Sequence, residues 1–401
     1  MENHLQPPTS QASMSSRQRV LTTLAHREPD RVPYDLGGIG PTGISLGAYA
    51  KVLQYLSVEE PAKLGDISSQ RAEPSEAMLQ KIGVDTRPLR YGAQRSWSFK
   101  IEERDGYSFF FDEWGIGRKM PLVNGHNYFI FSHPLAAVET SDLPRYPWPD
   151  PLDPKRLEGV ERQAGALRAE ADPALVFGGS FSQGLLQFGA QLEGYERFFM
   201  NLALEPRRVE WLLDKLLELK LQFYLNALEK LKGWVDAVVE SDDLGTQQSQ
   251  WISPQMFRKF VKPRYAELFL TLKKRFGVKI LFHSCGAVYP FLPDLIEMGA
   301  DILNPIQLSA QGMGDTAKLK REFGDSLSFW GGGVDVQQTL PRATPDEIEE
   351  EVQRRIEDLA PGGGFIFTPT QTIQPDTPPE NVAAMWRALR RYGIYPVGPK
   401  R

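Results

Sequence analysis

The feature that most constrains the fold of this chain is an alternation of short apolar strands with amphipathic helices after residue 173. The strand segments include VDAVVE, VKILF and ADILN, and each is followed by a stretch with helical spacing of its apolar residues. At least five such pairs occur in order, which is typical of a parallel sheet covered by helices. No glycine-rich dinucleotide fingerprint opens the first unit. We therefore predict an α/β fold, a (β/α)8 barrel.

The first half of the chain departs from this rhythm. The segment SWSFKIEERDGYSFFFDEWGIGRKM alternates polar and apolar residues around Asp105 and Gly106, which predicts a β-hairpin. Helical segments flank it, so we expect an N-terminal elaboration of helices and a hairpin on the barrel. Residues 1–15 are polar and are interpreted as a disordered leader. Residues 16–396 are predicted to form a single domain.

Composition excludes several classes of protein. The 401 residues carry a net charge of -5 with dispersed Lys and Arg, whereas nucleic-acid binding requires a basic face. No apolar run approaches the roughly 20 residues that a membrane span needs. The single cysteine excludes an intramolecular disulfide and is typical of a reducing compartment. We expect a cytoplasmic protein that binds neither nucleic acid nor membrane.

Polar side chains follow the predicted strands at their carboxyl ends. In a (β/α)8 barrel these ends meet at one mouth, where active sites are built. Seven strand ends contribute, which makes a shared site the natural interpretation. The residues are Asp35, Gln183, Glu240, Asp242, Asp243, His283, Cys285, Asn304, Asp335 and Gln371.

Four segments of the second half resemble the uroporphyrinogen decarboxylase superfamily. They are SDDLGTQQSQWISPQMFRKFVKPRY, FHSCGAVYPFLPDLIEMGADILNPIQ, FWGGGVD and PGGGFIFTPTQTIQPDTPPENV. The resemblance extends over residues 17–392 and implies a (β/α)8 barrel. Decarboxylases of this superfamily bind a tetrapyrrole tetracarboxylate through arginines of an RQAGR motif. The corresponding segment here is VPYDLGGIGPTG, and no arginine lies between Arg31 and Arg71, so we expect no activity on uroporphyrinogen.

The other branch that the resemblance implies is the corrinoid-linked methyltransferases. These hold zinc through a His-x-Cys pair and a later ligand, and the pair matches His283 and Cys285. Gln371 stands at the position of the later ligand, and Gln is a poor ligand for zinc. A carboxylate, Glu240 or Asp242, is our candidate to complete the set, because imidazole, thiolate and carboxylate all suit zinc. We assign His283, Cys285 and Glu240 as the metal ligands.

The plainer interpretations of these residues stay open. His283 and Cys285 form a half-buried strand end if the histidine only bonds a neighbour and the thiol only packs. Cys285 is alternatively a nucleophile whose pKa His283 lowers. The carboxylates after the third strand, Asp243 above all, are candidates to cap the helix that begins near Ser253.

We predict a methyltransferase that moves a methyl group between a small methylated substrate and cobalamin. The chain has no DxHxxG cobalamin-binding motif, so the cobalamin is expected on a partner corrinoid protein. Glu240, Asp242 and Cys285 are the predicted catalytic residues. Substrate contacts are predicted for Tyr34, Asp35, Gln183, Asn304, Asp335 and Gln371.

The predicted substrate is an aryl methyl ether, and the reaction is O-demethylation. This choice rests on four aromatic candidates for a pocket lining: Tyr34, Trp97, Phe181 and Trp330. One alternative is a metal-free decarboxylase or lyase of a non-porphyrin acid that uses Asp35 and the later carboxylates. Another is a non-catalytic barrel that binds a corrinoid or tetrapyrrole. A homodimer is a further expectation, because barrels of this superfamily often pair.

Overall fold

The computed structural model describes residues 14–398. The strands of this part of the chain are, in order, β1 Leu64–Asp66, β2 Arg71–Ala72, β3 Thr86–Leu89, β4 Glu102–Arg104, β5 Tyr107–Phe111, β6 Gly117–Pro121, β7 Phe129–Ser132, β8 Ala174–Phe177, β9 Ala237–Ser241, β10 Lys279–His283, β11 Ile302–Asn304, β12 Ser328–Trp330 and β13 Phe365–Ile366.

The helices of the same residues carry the amphipathic patterns seen in the sequence. They are α1 Ser16–Leu24, α2 Leu46–Tyr55, α3 Glu76–Ile82, α4 Val160–Ala171, α5 Leu186–Glu193, α6 Tyr195–Leu204, α7 Pro206–Lys230, α8 Pro254–Met256, α9 Lys262–Phe276, α10 Leu292–Glu297, α11 Thr316–Phe323, α12 Thr339–Arg342, α13 Pro345–Leu359 and α14 Pro379–Tyr392.

Seven strands form one parallel sheet in the order β13-β12-β11-β10-β9-β8-β3. The two outer strands, β13 and β3, are joined through residues 32–35. The Phe367 N–H donates to the Pro33 carbonyl at 2.8 Å, and the Asp85 N–H donates to the Tyr34 carbonyl at 2.8 Å. The sheet is thereby closed, and the predicted (β/α)8 barrel is confirmed.

The first strand of the barrel, at residues 32–35, is shorter than the strand that the sequence predicts. Residues 32–35 form one isolated bridge, Tyr34 with Phe367, rather than a ladder. Pro33 has no N–H to donate. The Tyr34 N–H is bonded instead by the side-chain carboxylate of Asp85, at 2.8 Å. Both features interrupt the regular exchange of backbone hydrogen bonds.

Alternate residues of the strands point into the barrel and toward the surrounding helices, as the period of two requires. The inward residues form one apolar cluster, and Val20 and Leu24 of α1 join it. The outward residues belong to the larger core between sheet and helices. The inward cluster consists of Ala174, Val176, Ala237, Val239, Leu281, Ile302, Trp330 and Ile366, together with Val20, Leu24 and Ile39.

The predicted hairpin is present between β4 and β5. Asp105 and Gly106 occupy its turn with φ values of 52° and 78°, as a two-residue turn of this kind requires. The hairpin belongs to a four-stranded antiparallel sheet, β4-β5-β6-β7. Most of the predicted leader, residues 1–13, lies outside the described residues; Ser15 caps α1 by accepting the Gln18 N–H at 3.2 Å.

Within residues 14–398, no helix combines the length and the apolar character that crossing a membrane requires.

Candidate metal centre at the carboxyl ends of the strands

Strands β9 and β10 bring three potential metal ligands together. His283 pairs in register with Ser241, and Cys285 and Asp243 each follow two residues later on the same inward side. The His283 Nε2 lies 3.6 Å from the Cys285 Sγ and 3.6 Å from the Asp243 Oδ1. The three donor atoms all lie within 4.8 Å of one another. A nitrogen, a sulfur and an oxygen therefore converge on one point of the barrel mouth.

Asn304 fixes the orientation of the histidine ring. Its Oδ1 lies 2.5 Å from the His283 Nδ1, and its Nδ2 donates to the Trp330 carbonyl at 2.6 Å. Because the amide nitrogen is held by that carbonyl, the amide oxygen must face the ring and accept the Nδ1 proton. The Nε2 lone pair is then directed at Cys285 and Asp243, as in metal sites whose histidines are oriented by a second hydrogen bond.

Besides His283, two further polar side chains lie close to Cys285. Gln371 Nε2 lies 2.9 Å from the Sγ, and Asp243 Oδ1 accepts the Cys285 backbone N–H at 2.9 Å. Burial, and after it the negative charge of Asp243, raises the pKa of the thiol, while the bond from Gln371 lowers it. A bound cation would reverse this balance, because metal coordination deprotonates a thiol.

The distances from His283 to the other two donors suit zinc. Zinc bonds of about 2.0–2.3 Å in a tetrahedron separate their ligand atoms by roughly 3.3–3.8 Å. Both distances from His283 Nε2, at 3.6 Å, fall in this range. Gln371, at the position that the resemblance gives to the third ligand, donates an N–H to the sulfur instead. The residues present thus fit a His-Cys-Asp site with one coordination position left for substrate.

The structure corrects the assignment of Glu240 as a metal ligand. Its side chain is fully buried on the outer face of β9. Lys220 donates to its Oε2 at 2.7 Å and Tyr224 to its Oε1 at 2.8 Å, both from α7. The group of side chains that could hold a metal contains Asp243 and not Glu240. Burial raises the pKa of Glu240 to about 7, but this carboxyl belongs to the helix–sheet interface.

Asp242 likewise faces away from the mouth. Its carboxylate accepts the backbone N–H groups of Leu185, Leu186 and Gln187 at 2.7–2.9 Å and the Tyr265 hydroxyl at 2.9 Å. It therefore caps the first turn of α5 and lies away from the three donors at the mouth, where the sequence predicts it as a catalytic residue. Burial raises its pKa to about 6. The helix near Ser253, for which the carboxylates were the alternative candidate caps, is capped by Ser253 itself.

Tyr34 and Asp35, two of the predicted substrate contacts, are hydrogen-bonded to other residues of the protein. The Tyr34 hydroxyl accepts the Trp386 Nε1–H at 2.6 Å, so its side chain points outward to α14 rather than into the mouth. Asp35 points inward and is fully buried. Its carboxylate accepts from Trp330 Nε1 at 2.7 Å and from the Gly38 N–H at 2.8 Å, and also from Thr86. Both side chains hold the barrel together.

The other predicted contacts lie nearer the mouth. Asn304 and Gln371 touch the metal-binding group, as described above. Gln183 is bridged to Ser241 and lines a large cavity. Asp335 accepts the Gln337 and Gln338 N–H groups at 2.8 and 2.6 Å through Oδ1, and its buried Oδ2 has no partner among the residues that the structure describes. Their contact with substrate stays a prediction.

A cavity of about 640 Å³ lies at the strand ends, and its lining does not include His283, Cys285 or Asp243. Ser241, the register partner of His283, is part of its wall. The aromatic residues in the wall are Tyr91 and Phe110. The four aromatic residues that the sequence suggested for a pocket (Tyr34, Trp97, Phe181 and Trp330) do not line this cavity.

Comparison with known proteins agrees with the architecture. A family model described as "Uroporphyrinogen decarboxylase (URO-D)" matches residues 116–392. A uroporphyrinogen decarboxylase of Alkalilimnicola ehrlichii is 25% identical over 290 residues, which cover 70% of this chain and 73% of that protein. One of Legionella pneumophila is 27% identical over 270 residues, covering 65% and 70%. A solved methyltransferase from Methanosarcina mazei superposes with a TM-score of 0.63 at 19% identity, covering 95% of this chain and 99% of the other.

Proposed function

The chain belongs to the uroporphyrinogen decarboxylase (URO-D) family, and within it we propose a zinc-dependent methyltransferase that takes a methyl group from a small methylated substrate. The observation that carries the proposal is the convergence of His283, Cys285 and Asp243 at the barrel mouth. A decarboxylase needs no such donor set. A methyl transfer from an ether does, because the oxygen must be made a better leaving group.

Each residue has a defined part in this proposal. His283, Cys285 and Asp243 hold the metal, and Asn304 keeps the histidine in the tautomer that leaves Nε2 free. Gln371 donates a hydrogen bond to the sulfur and so stabilises its thiolate. Zinc, when bound, supplies a Lewis acid that polarises the ether oxygen. The adjacent cavity holds the rest of the substrate.

The methyl acceptor in this proposal is a corrinoid carried by a partner protein. The sequence has no DxHxxG motif with which to hold cobalamin itself. The metal centre lies at the carboxyl ends of the strands, the face through which a (β/α)8 barrel is reached from outside. A partner that docks over this face brings its cargo to the substrate methyl group.

Elemental analysis of zinc in purified protein is the first test. We expect about one zinc per chain in the wild type. His283→Ala, Cys285→Ala and Asp243→Ala are each expected to lose it, whereas Glu240→Gln is expected to retain it. Asp325→Ala, which removes an exposed carboxylate, is the control for loss of charge. Zinc-free wild type after supplementation, or full zinc in Asp243→Ala, would contradict the site.

Transfer itself is then measured with free cob(I)alamin and methoxybenzene derivatives. Formation of methylcobalamin is followed by its absorption spectrum. We expect it in the zinc-loaded wild type and not in Asp243→Ala. If zinc binds but no methyl group is transferred, the metal centre stands and the proposed methyl transfer is contradicted.

A second function, decarboxylation of a non-porphyrin acid, is favoured by one observation. Three arginines, Arg71, Arg90 and Arg118, line the cavity, and arginine is suited to bind carboxylates. Release of CO2 from an aromatic acid, undiminished in Cys285→Ala, would support this function over methyl transfer.

A further inference from the structure

We propose that Arg71 and Arg118 form an anion-binding subsite in the cavity, so that the substrate is a small methyl ether bearing a carboxylate or an equivalent oxyanion. The identity of the methyl donor rests on the proposed function. The anion subsite itself is argued from the cavity alone.

Among residues 14–398, the guanidinium of Arg118 finds only two hydrogen-bond partners. Its Nε lies 3.5 Å from the Asp112 Oδ2, and its Nη2 lies 3.3 Å from the Gln191 Oε1. Both distances are long for a charge-assisted bond, which is usually about 2.7–2.9 Å. Arg19, by contrast, makes four bonds of 2.6–2.8 Å in the same protein. Arg118 is therefore not a saturated structural arginine.

Arg71 is in a similar position on the other part of the wall. It donates to the Gly40 carbonyl, and its nearest carboxylate, on Asp66, lies 3.4 Å from its Nη2. Burial lowers its pKa, Asp66 raises it, and the positive charge of Arg90 lowers it further. A guanidinium that is partly desolvated and repelled by a second arginine gains from an added anion.

The two carboxylates of the cavity wall are committed to their own loops. Asp66 Oδ1 accepts the Ser69 N–H at 2.8 Å and the Ser69 hydroxyl at 2.6 Å. Asp112 Oδ1 accepts two backbone N–H groups at 3.0 Å. Each thus has one oxygen engaged locally, which limits how well it can neutralise the neighbouring arginine.

The loop opposite Arg71 is shaped to receive that side chain. A Cβ atom at Gly43 would come within 2.9 Å of the Arg71 Cδ, and one at Gly40 within 3.1 Å of its Nη1. The segment VPYDLGGIGPTG contains no arginine of its own, and its glycines let Arg71 of β2 lie against it. The positive charge at this part of the mouth therefore comes from the side chain of Arg71 on β2, and not from the segment itself.

The remaining wall indicates the body of the ligand. Tyr91, Phe110 and Ile39 provide apolar surface, and Ser241 connects the cavity to the strand position beside His283. A volume of about 640 Å³ is in the range of pockets for small organic ligands. A single-ring methyl ether with an acidic group would place its charge on the arginines and its ring against the aromatic wall.

Calorimetric titration of zinc-free protein with 4-methoxybenzoate tests the subsite. Methoxybenzene and 4-methoxybenzenesulfonate are the neutral and sulfonate comparisons. We expect the wild type to bind the carboxylate at least tenfold tighter than the neutral ether. Arg71→Gln and Arg118→Gln are each expected to lose about tenfold in affinity for the carboxylate. The sulfonate shows whether the subsite is selective for a planar oxyanion.

Arg145→Gln is the matched control, since Arg145 is exposed and pairs with Asp142 nearby in the chain. Arg71→Lys, which keeps the charge, is expected to bind between wild type and Arg71→Gln, so a loss due to misfolding is recognised. Equal affinity for acid and neutral ether, or unchanged binding in both glutamine variants, would overturn the proposal. Binding is also measured in His283→Ala: retention there separates the anion subsite from failure of the methyltransferase.

Discussion

The Nδ1 of His283 and the Oδ1 of Asn304 are 2.5 Å apart, and this one contact determines which nitrogen of the imidazole faces the thiol of Cys285. The orientation is transmitted from β12, because Asn304 is in turn held by the Trp330 carbonyl. Three adjacent strands of the barrel therefore cooperate to present one lone pair.

Removing this contact is expected to weaken zinc binding without abolishing it. In Asn304→Ala the Nδ1 proton has no acceptor and the ring is free to rotate. Loss of such an orienting partner typically reduces metal affinity by about 10–100-fold. Competition with a chromophoric chelator measures the change. Asn304→Asp keeps an acceptor for Nδ1 and is expected to retain more affinity than the alanine variant; equal affinity in wild type and Asn304→Ala would contradict the role of Asn304.

The reactivity of Cys285 provides a second prediction. Burial and the charge of Asp243 raise the pKa of the thiol, so little thiolate is present at neutral pH in metal-free protein. Alkylation by iodoacetamide at pH 8 is expected to be slower than that of a free cysteine. Asp243→Asn removes the negative charge and is expected to accelerate it several-fold. Because the chain has one cysteine, intact mass reports the rate directly, and an unchanged or slower rate in Asp243→Asn would oppose this account.

The fold could be predicted because its signal is repeated. Each unit carries an apolar strand, a polar strand end and an amphipathic helix in that order. A wrong boundary at one element therefore leaves the predicted fold class unchanged. The element predicted least well was the first strand of the barrel, at residues 32–35. Pro33 and the carboxylate of Asp85 replace ladder hydrogen bonds there, and the part played by a residue 51 positions away is not visible in a local pattern.

The grouping of His283 with Cys285 could be predicted from the sequence, and the misplacement of Glu240 has a simple physical cause. His283 and Cys285 were placed on one face by their spacing of two, but the same rule was not applied to β9. Val239 points inward, so Ser241 and Asp243 do as well, while Glu240 and Asp242 point outward. Parity thus places Asp243 beside His283 and Cys285, as the candidate third donor. The position of Arg71 and Arg118 at the cavity depends on long-range packing and has no comparable signal.

Glu240 is expected to make stability depend on pH. Burial raises its pKa to about 7 from an ordinary 4.5. Between these values the folded chain keeps a proton that the unfolded chain releases. The free energy of unfolding therefore falls as the pH rises from about 4.5 to 7, and the contribution is constant outside that window.

Glu240→Gln tests this dependence. At pH 5 the wild-type carboxyl is itself protonated, so glutamine replaces a neutral group there and is expected to change the free energy of unfolding little. The stability of the variant should fall less steeply across the window, because glutamine does not ionise. Urea unfolding at pH 5 and pH 8 provides the comparison, and parallel losses in the two proteins would show that another group dominates.

The cap that Asp242 places on α5 yields a prediction with an internal control. A Cβ atom at Gly184 would come within 2.2 Å of the Asp242 Cγ, so Gly184→Ala must displace the carboxylate from the N–H groups that it caps. We expect a loss of about 1–3 kcal/mol in the free energy of unfolding. Gly165, inside α4, has space for a methyl group, with its nearest neighbour at 3.8 Å. Gly165→Ala is expected to stabilise the protein by about 0.5–1 kcal/mol. Guanidinium unfolding of the two variants should therefore move in opposite directions from the wild type, and a Gly184→Ala protein as stable as the wild type would mean that Asp242 does not depend on this close approach.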